Sequence, residues 1–476
     1  MLFNSFNFFI VFPFIFLLYW IIPSKWNSVK KWWLILVSYL LYMNWNASFA
    51  IVLLFVTIIT FLGAKLIYEN SHKSKCAKLV SIFSILALLP LLIFKYYNFV
   101  NESTTKLLEY AGIHFSLSGL NWAVPIGISF YTFQALGYML DVYYGRIKPE
   151  NNFTTYVLFC SFFPQTASGP ISKASELLPQ IKVFHPFRYE QAREGLQILL
   201  WGIFLKVVVA DRLGIYVDTV YENYIHYSGL TCFIASVFYS FQISGDFAGY
   251  SLMAVGIGKC LGFDLVNNFQ RPYLATSVTD FWKRWHISLT RWLTLYVYIP
   301  LGGSRCSKIR HYWNIMLTFL VSGLWHGANW TFVIWGAIHG LLQIAEKLGG
   351  IDPKGKYAQS FFLNRIKVVR ILFTFLLVNF AWVFFRAPSL NDACEILGRM
   401  FHYAPGLWQT IHFLPIIILI FVLLLGREFV EEFYPKRLSF FNNKYAIIRW
   451  SSYLFMIALI VLYGVLDATQ FIYVSF

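Results

Sequence analysis

The sequence predicts an all-α polytopic membrane protein, and three observations predict it. Hydrophobic residues make up 58% of the 476-residue chain and charged residues only 13%. The mean hydropathy is +0.60, far above the balance of a soluble domain. Apolar segments recur from residue 8 almost to the end with no long polar stretch between them. One integral-membrane domain over 1–476 is therefore expected, with the bilayer lipid as its principal surroundings.

A helix needs about 20 apolar residues to cross the hydrocarbon core. Segments 8–22, 32–45, 49–67 and 79–94 open the chain, the first two short for a span. Segment 8–22 has no basic region before it and no small-residue cleavage site after it, so a retained helix is expected rather than a signal peptide. Further candidates are 124–144, 197–216, 230–242, 252–262, 293–300, 315–344, 371–385, 413–425 and 448–466, several too short to span alone. The pieces 154–164 and 293–303, broken by Pro or Gly, predict re-entrant or tilted segments, because irregular backbone at membrane depth is tolerated only where protein or a cavity surrounds it.

The net charge of +16 would suggest nucleic acid in a soluble protein, but here Lys and Arg collect in short loops between apolar segments. The positive-inside rule accounts for them without a nucleic-acid partner. Lys25, Lys30 and Lys31, then Lys73, Lys75 and Lys78, then Arg146 and Lys148 follow odd-numbered spans, which places the N-terminus outside. Arg427, Lys436, Arg437, Lys444 and Arg449 put a late loop inside and the C-terminus outside. Around 315–344 both flanks are basic: Arg305, Lys308 and Arg310 before it, Lys347, Lys354, Lys356 and Arg365 after. One straight span cannot do that. Its 30 residues would run about 45 Å as one helix against roughly 30 Å of hydrocarbon. Two inserted arms meeting near His326, or a strongly tilted helix, are expected, with Gly323 and Gly327 easing backbone irregularity there. The six cysteines, Cys76, Cys160, Cys232, Cys260, Cys306 and Cys394, have no metal-ligand spacing and give no case for disulfides or zinc.

The most informative stretch is Ser322-Gly323-Leu324-Trp325-His326-Gly327-Ala328-Asn329-Trp330. No Asp, Glu, Lys or Arg lies between Arg310 and Glu346, so His326 sits in a long uncharged run. An imidazole in hydrocarbon is costly unless partnered or working. A neutral imidazole accepts a hydroxyl proton near pH 7, which makes His326 the first candidate for chemistry. The second cluster runs from Asp280 through Trp282, Lys283, Arg284, Trp285 and His286 to Ser288, followed by Arg291 and Trp292. It reads equally as an interfacial amphipathic helix or as a second part of a site with His326. Asp246, within Ser244-Gly245-Asp246-Phe247-Ala248-Gly249-Tyr250, and Lys206 with Asp211 and Arg212 are further polar groups in apolar context. Lys206 reads as an ion-pair or snorkelling residue rather than a catalyst.

Together with 1–6, 125–134 and Tyr298-Ile299-Pro300-Leu301-Gly302-Gly303, these motifs resemble in content and order the membrane-bound O-acyltransferase family, in its bacterial branch related to alginate O-acetylation proteins. The chain departs from that branch at Leu252, where related sequences often carry an acidic residue. The resemblance implies a ring of about 11–13 transmembrane and re-entrant helices around a central tunnel. It places the family's active histidine on His326 and its second histidine on His286. It also implies the bacterial inner (cytoplasmic) membrane, no bound metal or resident cofactor, and an acyl thioester arriving from the cytoplasm as acetyl-CoA or on a phosphopantetheine-linked carrier. The acyl group would pass toward a periplasmic or extracellular acetyltransferase partner and a polysaccharide. Asn329, Trp325, Ser322 and Asp246 are expected to line the substrate site, Asn329 or His286 to orient the imidazole or steady the oxyanion, and Lys283 and Arg284 to meet donor phosphates.

Three readings follow: O-acetylation of an exported polysaccharide or peptidoglycan, D-alanyl transfer toward teichoic acid from a carrier protein, and a multipass transporter whose buried histidines serve a proton pathway.

Overall fold

The computed structural model describes residues 3–70, 72–114, 117–350, 366–412, 414–434, 441 and 443–465. Among these the chain is built of helices; no strand forms, and one isolated parallel bridge joins Tyr227 to Leu407. Lys354, Lys356, Arg365, Lys436, Arg437 and both chain ends, on which part of the topology expectation rests, lie outside the described residues.

Four helical stretches are long and apolar enough to cross a bilayer by themselves: Phe49–Glu69, Ser74–Tyr110, Lys367–Arg386 and Ala446–Tyr463, with a shorter apolar helix at Asn7–Ile21. The others are shorter, interrupted, less apolar or carry more charge. The segments 154–164 and 293–303 are indeed broken, into Phe153–Ser161 and Phe163–Thr166 in one case and a π-helical turn, Thr294–Tyr298, in the other.

The described residues divide into two compact units, one drawn from Met1–Leu196 and Ala254–Val266, the other from Gln197–Met253 and Asn267–Ser475. In the first, Lys30 is not a loop cation, as the sequence suggested. It is buried in the helix Asn27–Met43 with its ammonium 4.8 Å from the ring centroids of Tyr19 and Trp20 and 5.1 Å from that of Phe184. Three π faces replace water around the charge.

Two further features matter for the site. The expected pair of pieces at 230–242 and 252–262 is one helix, Gly229–Cys260, running unbroken through the polar Ser244-Gly245-Asp246 turn. Lys206, on the π-helical stretch Phe204–Ala210, holds Asp246 at 2.6 Å and Asp211 also at 2.6 Å, all three buried. The carboxylate is matched in place, so the helix has no reason to break. Gly249 lets the two segments close: a Cβ there would lie 2.8 Å from the carbonyl oxygen of Gly202 and 3.0 Å from the amide nitrogen of Lys206.

The second is 315–344, which takes the two-arm form of the two expected: Lys308–His326, a turn, then Trp330–Leu348. The arms run antiparallel, Gly323 against Phe332 and Gly336 against Phe319. The glycines are there for proximity rather than for backbone irregularity. Gly327 is extended at φ −160°, open to any residue, but a Cβ on it would lie 2.0 Å from the Phe332 ring. Cβ atoms on Gly323 or Gly336 would lie 2.3 Å from the carbonyl oxygens of Phe332 and Phe319.

Gly323→Ala therefore forces the arms apart, and we expect a loss of about 1–3 kcal/mol. Thermal unfolding of the detergent-solubilised variant checks this; an unchanged midpoint would show the contact to be soft.

Candidate active site

The second unit contains every residue of the site. The helix Val278–Arg284 starts on Ser277, whose hydroxyl accepts from the amide of Asp280 at 3.0 Å. The Glu346 carboxylate accepts from the amides of Val278 and Thr279 at 2.5 and 2.8 Å, an anion at the positive end of the helix. After seven residues the chain leaves the helix at Trp285, and His286 takes a left-handed conformation, φ 42° and ψ 54°. A side chain with a Cβ rarely sits there, and such residues concentrate at functional sites. The next helix, Ile287–Leu293, begins at once, its first amides held by Asn268: Ile287 donates to the carbonyl oxygen at 3.0 Å and Ser288 to Oδ1 at 3.1 Å.

His326 ends the first arm of the hairpin. The two imidazoles, 0% and 1% exposed, are thus buried, with ring centroids 6.3 Å apart. Even with nitrogens aimed at each other, that spacing exceeds a direct hydrogen bond. Trp325 touches both, 5.5 Å from His286 and 5.0 Å from His326. Trp335 and Phe385 close the other sides of His326 at 5.0 and 5.3 Å, and Phe247 lies edge-on to His286 at 4.6 Å. His286 lies between two seven-residue helices, neither a span, and burial lowers its pKa to about 3, so it is neutral at physiological pH.

The structure brings His286, His326 and Trp325 together, and Ser322 lies one turn before His326 on the same buried arm. The Ser322 hydroxyl has no hydrogen-bond partner among the described residues. Asp246 precedes Phe247, the ring packed on His286, but its carboxylate is held by Lys206. Asn329 is taken up elsewhere: Oδ1 accepts from the amide of Thr331 at 3.0 Å, capping the second arm, and Nδ2 donates to the carbonyl of Pro388 at 3.1 Å. Lys283 is exposed. Arg284 donates through both terminal nitrogens to Glu432 at 3.1 Å and through Nε to Asp280 at 3.0 Å, so its guanidinium already carries two carboxylates. Burial opposes the Glu432 carboxylate, yet the Arg284 and Arg271 guanidiniums beside it hold it below the usual carboxylate range.

His339 is a third buried histidine, which sequence reasoning did not single out. The Trp282 indole donates to its Nδ1 at 3.3 Å, leaving the ring proton on Nε2. Trp335 lies between it and His326, 4.9 Å from one and 5.0 Å from the other. The available signal was its i+4 spacing from Trp335 on one helix face. Among the described residues no group of three or more His, Cys, Asp and Glu side chains is placed to hold a metal.

Lys206 carries two buried carboxylates, so Lys206→Met leaves both uncompensated. A loss of about 3–5 kcal/mol is expected, much more than for an exposed lysine. The yield of monodisperse protein and its unfolding temperature read this out, and wild-type values for both would refute it.

Comparison with known proteins shows the family. The profile described as MBOAT, membrane-bound O-acyltransferase family, matches residues 3–387. A probable alginate O-acetylase of Pseudomonas syringae pv. tomato is 35% identical over 412 residues, 86% of this chain and 76% of that protein. A peptidoglycan O-acetyltransferase of Helicobacter pylori is 34% identical over 400 residues, covering 78% and 73% respectively. A teichoic acid D-alanyltransferase of Bacillus subtilis is 26% identical over 280 residues, 56% of this chain and 69% of that protein.

Proposed function

We propose that this chain, which belongs to the membrane-bound O-acyltransferase family and is a membrane acyltransferase, moves an acetyl group from a cytoplasmic thioester across the inner membrane for O-acetylation of an exported polysaccharide or peptidoglycan. The observation that carries the reading is the pair of buried imidazoles, their ring centroids 6.3 Å apart and both packed on Trp325. Family membership sets the transporter reading aside. The D-alanyl reading is supported by relatives at 26% identity over little more than half the chain, the O-acetyl reading by relatives at 34–35% over most of it.

In the proposed step a hydroxyl of the acceptor lies against His326. The imidazole takes the hydroxyl proton as the oxygen forms its bond to the thioester carbonyl carbon; the carbon–sulfur bond then breaks, and the thiolate recovers that proton on leaving. His286, kept neutral by burial, can donate one ring N–H toward the developing oxyanion or turn the acceptor toward His326. Trp325, Trp335 and Phe385 exclude water, which would otherwise hydrolyse the thioester. Ser322 offers a hydroxyl to the bound substrate from one turn away.

Acetyl-CoA or a phosphopantetheine-linked carrier serves as donor. Lys283, Arg305 in the loop, and Lys308 and Arg310 in the first turn of the arm are the side chains for its phosphates, since Arg284 is committed to Glu432 and Asp280. A periplasmic acetyltransferase partner would then carry the group to the polymer.

The test is transfer of radiolabelled acetyl from acetyl-CoA, supplied only on the cytoplasmic face of sealed vesicles, into base-labile ester on the opposite face. We expect His326→Ala to lower transfer by about a thousandfold or more while folding normally, and His286→Ala to lower it by about ten- to a hundredfold, as suits a base and an orienting group. Near-wild-type turnover of His326→Ala, or a requirement for donor and acceptor on one face, would refute the reading.

A further inference from the structure

Three residues other than glycine have left-handed backbone among those described, Arg271, His286 and Tyr403, at φ 50°, 42° and 47°. The first two belong to one construction. The amide of Gln270 donates to the carbonyl of Arg284 at 2.9 Å and the amide of Ile287 to the carbonyl of Asn268 at 3.0 Å, so 268–271 and 284–288 run side by side. Each strand of this pair bends through a left-handed residue. Strained backbone of this kind persists only where its surroundings over-determine it.

Asn268 ties the pair on the His286 side. On the other side both arginines converge on Glu432, Arg271 through Nε at 2.8 Å and Arg284 through a two-pronged contact at 3.1 Å on each oxygen. Arg271 also approaches Glu431 at 3.7 Å, and Asp280 braces Arg284 from within its own helix. Glu432 belongs to the helix Leu414–Phe433, beyond residue 387 where the family profile ends. A forked guanidinium–carboxylate contact fixes orientation as well as distance.

We infer that Glu432 is a positioning residue for acyl transfer: by clamping Arg271 and Arg284 it holds His286 in its left-handed conformation and so keeps its imidazole facing His326. The inference rests on the reading of His286 as part of the transfer centre. Glu432 touches neither imidazole and acts through the backbone of the paired segments. Turnover is therefore sensitive to it, and donor binding is not.

The experiment is a double-mutant cycle between Glu432→Gln and His286→Ala, with acetyl-CoA as donor and kcat normalised to folded protein. We expect Glu432→Gln alone to lower kcat by about tenfold with KM for acetyl-CoA unchanged, since small displacements of a reacting group cost about this much or more. In the His286→Ala background it should change kcat by less than about twofold, because the group it positions is gone. Glu432→Asp, which keeps the carboxylate, should recover part of the rate.

Equal losses in both backgrounds, or a loss of folded protein with kcat unchanged, would show an ordinary structural ion pair and overturn the inference. So would a slow Glu432→Gln beside a His286→Ala of wild-type rate. Should Glu432→Gln fail to accumulate, Arg284→Lys, which keeps the charge and loses the fork, takes its place in the cycle. His326→Ala is read separately: its activity decides the transfer mechanism, whereas the coupling between Glu432 and His286 decides this inference.

Discussion

Two buried imidazoles whose ring centroids lie 6.3 Å apart, out of reach of bulk water, have to be built from both sides at once. His326 arrives at the end of a long arm whose course is set by backbone contact at Gly323 and Gly336. His286 arrives at a kink between two seven-residue helices, in a conformation its own residue type disfavours. The rings packed around the pair come from Trp325, beside His326 on its own arm, and from three further helices: Phe247, Trp335 and Phe385. Loss of alignment on either side would leave two inert buried histidines, since proton transfer depends on distances of a few tenths of an ångström.

The polar groups around this centre divide by whether their hydrogen-bonding capacity is already used. Lys206, Asp211 and Asp246 satisfy one another and carry the helix Gly229–Cys260 through its polar middle. Asn329 caps the second arm and reaches Pro388, and Arg284 is occupied by Glu432 and Asp280. The Ser322 hydroxyl, by contrast, is buried one turn before His326 with no protein partner among the described residues. In a medium that cannot hydrate them, groups already matched hold structure, and an unmatched group beside the reactive pair is where a substrate atom gains most.

Much of this was legible in the sequence. The uncharged run around His326 and the aromatic cluster around His286 marked the two histidines, and the basic flanks with the excess length of 315–344 excluded one straight span and left two arms or a strongly tilted helix. What escaped were contacts between residues distant in sequence. The glycines of the hairpin read as licence for irregular backbone, whereas their purpose is to let two helices touch, which depends on the facing carbonyls of Phe332 and Phe319. Ser244-Gly245-Asp246 read as a break because Lys206, forty residues earlier, was not known to meet it. Arg284 read as a phosphate ligand because Glu432 lies nearly 150 residues away. Lys30 read as a loop cation because local sequence does not reveal its three rings.

The account turns on His286 and His326 flanking the reacting carbonyl, and the most direct measurement is a cryo-electron microscopy structure with a non-transferable thioether analogue of acetyl-CoA. The predicted result places the carbonyl oxygen or carbon of the analogue within hydrogen-bonding distance of the facing edges of both imidazoles, against Trp325, with its phosphates among exposed cations. An analogue whose acyl end lies away from both rings, with the imidazoles packed together and no substrate atom between them, would contradict it.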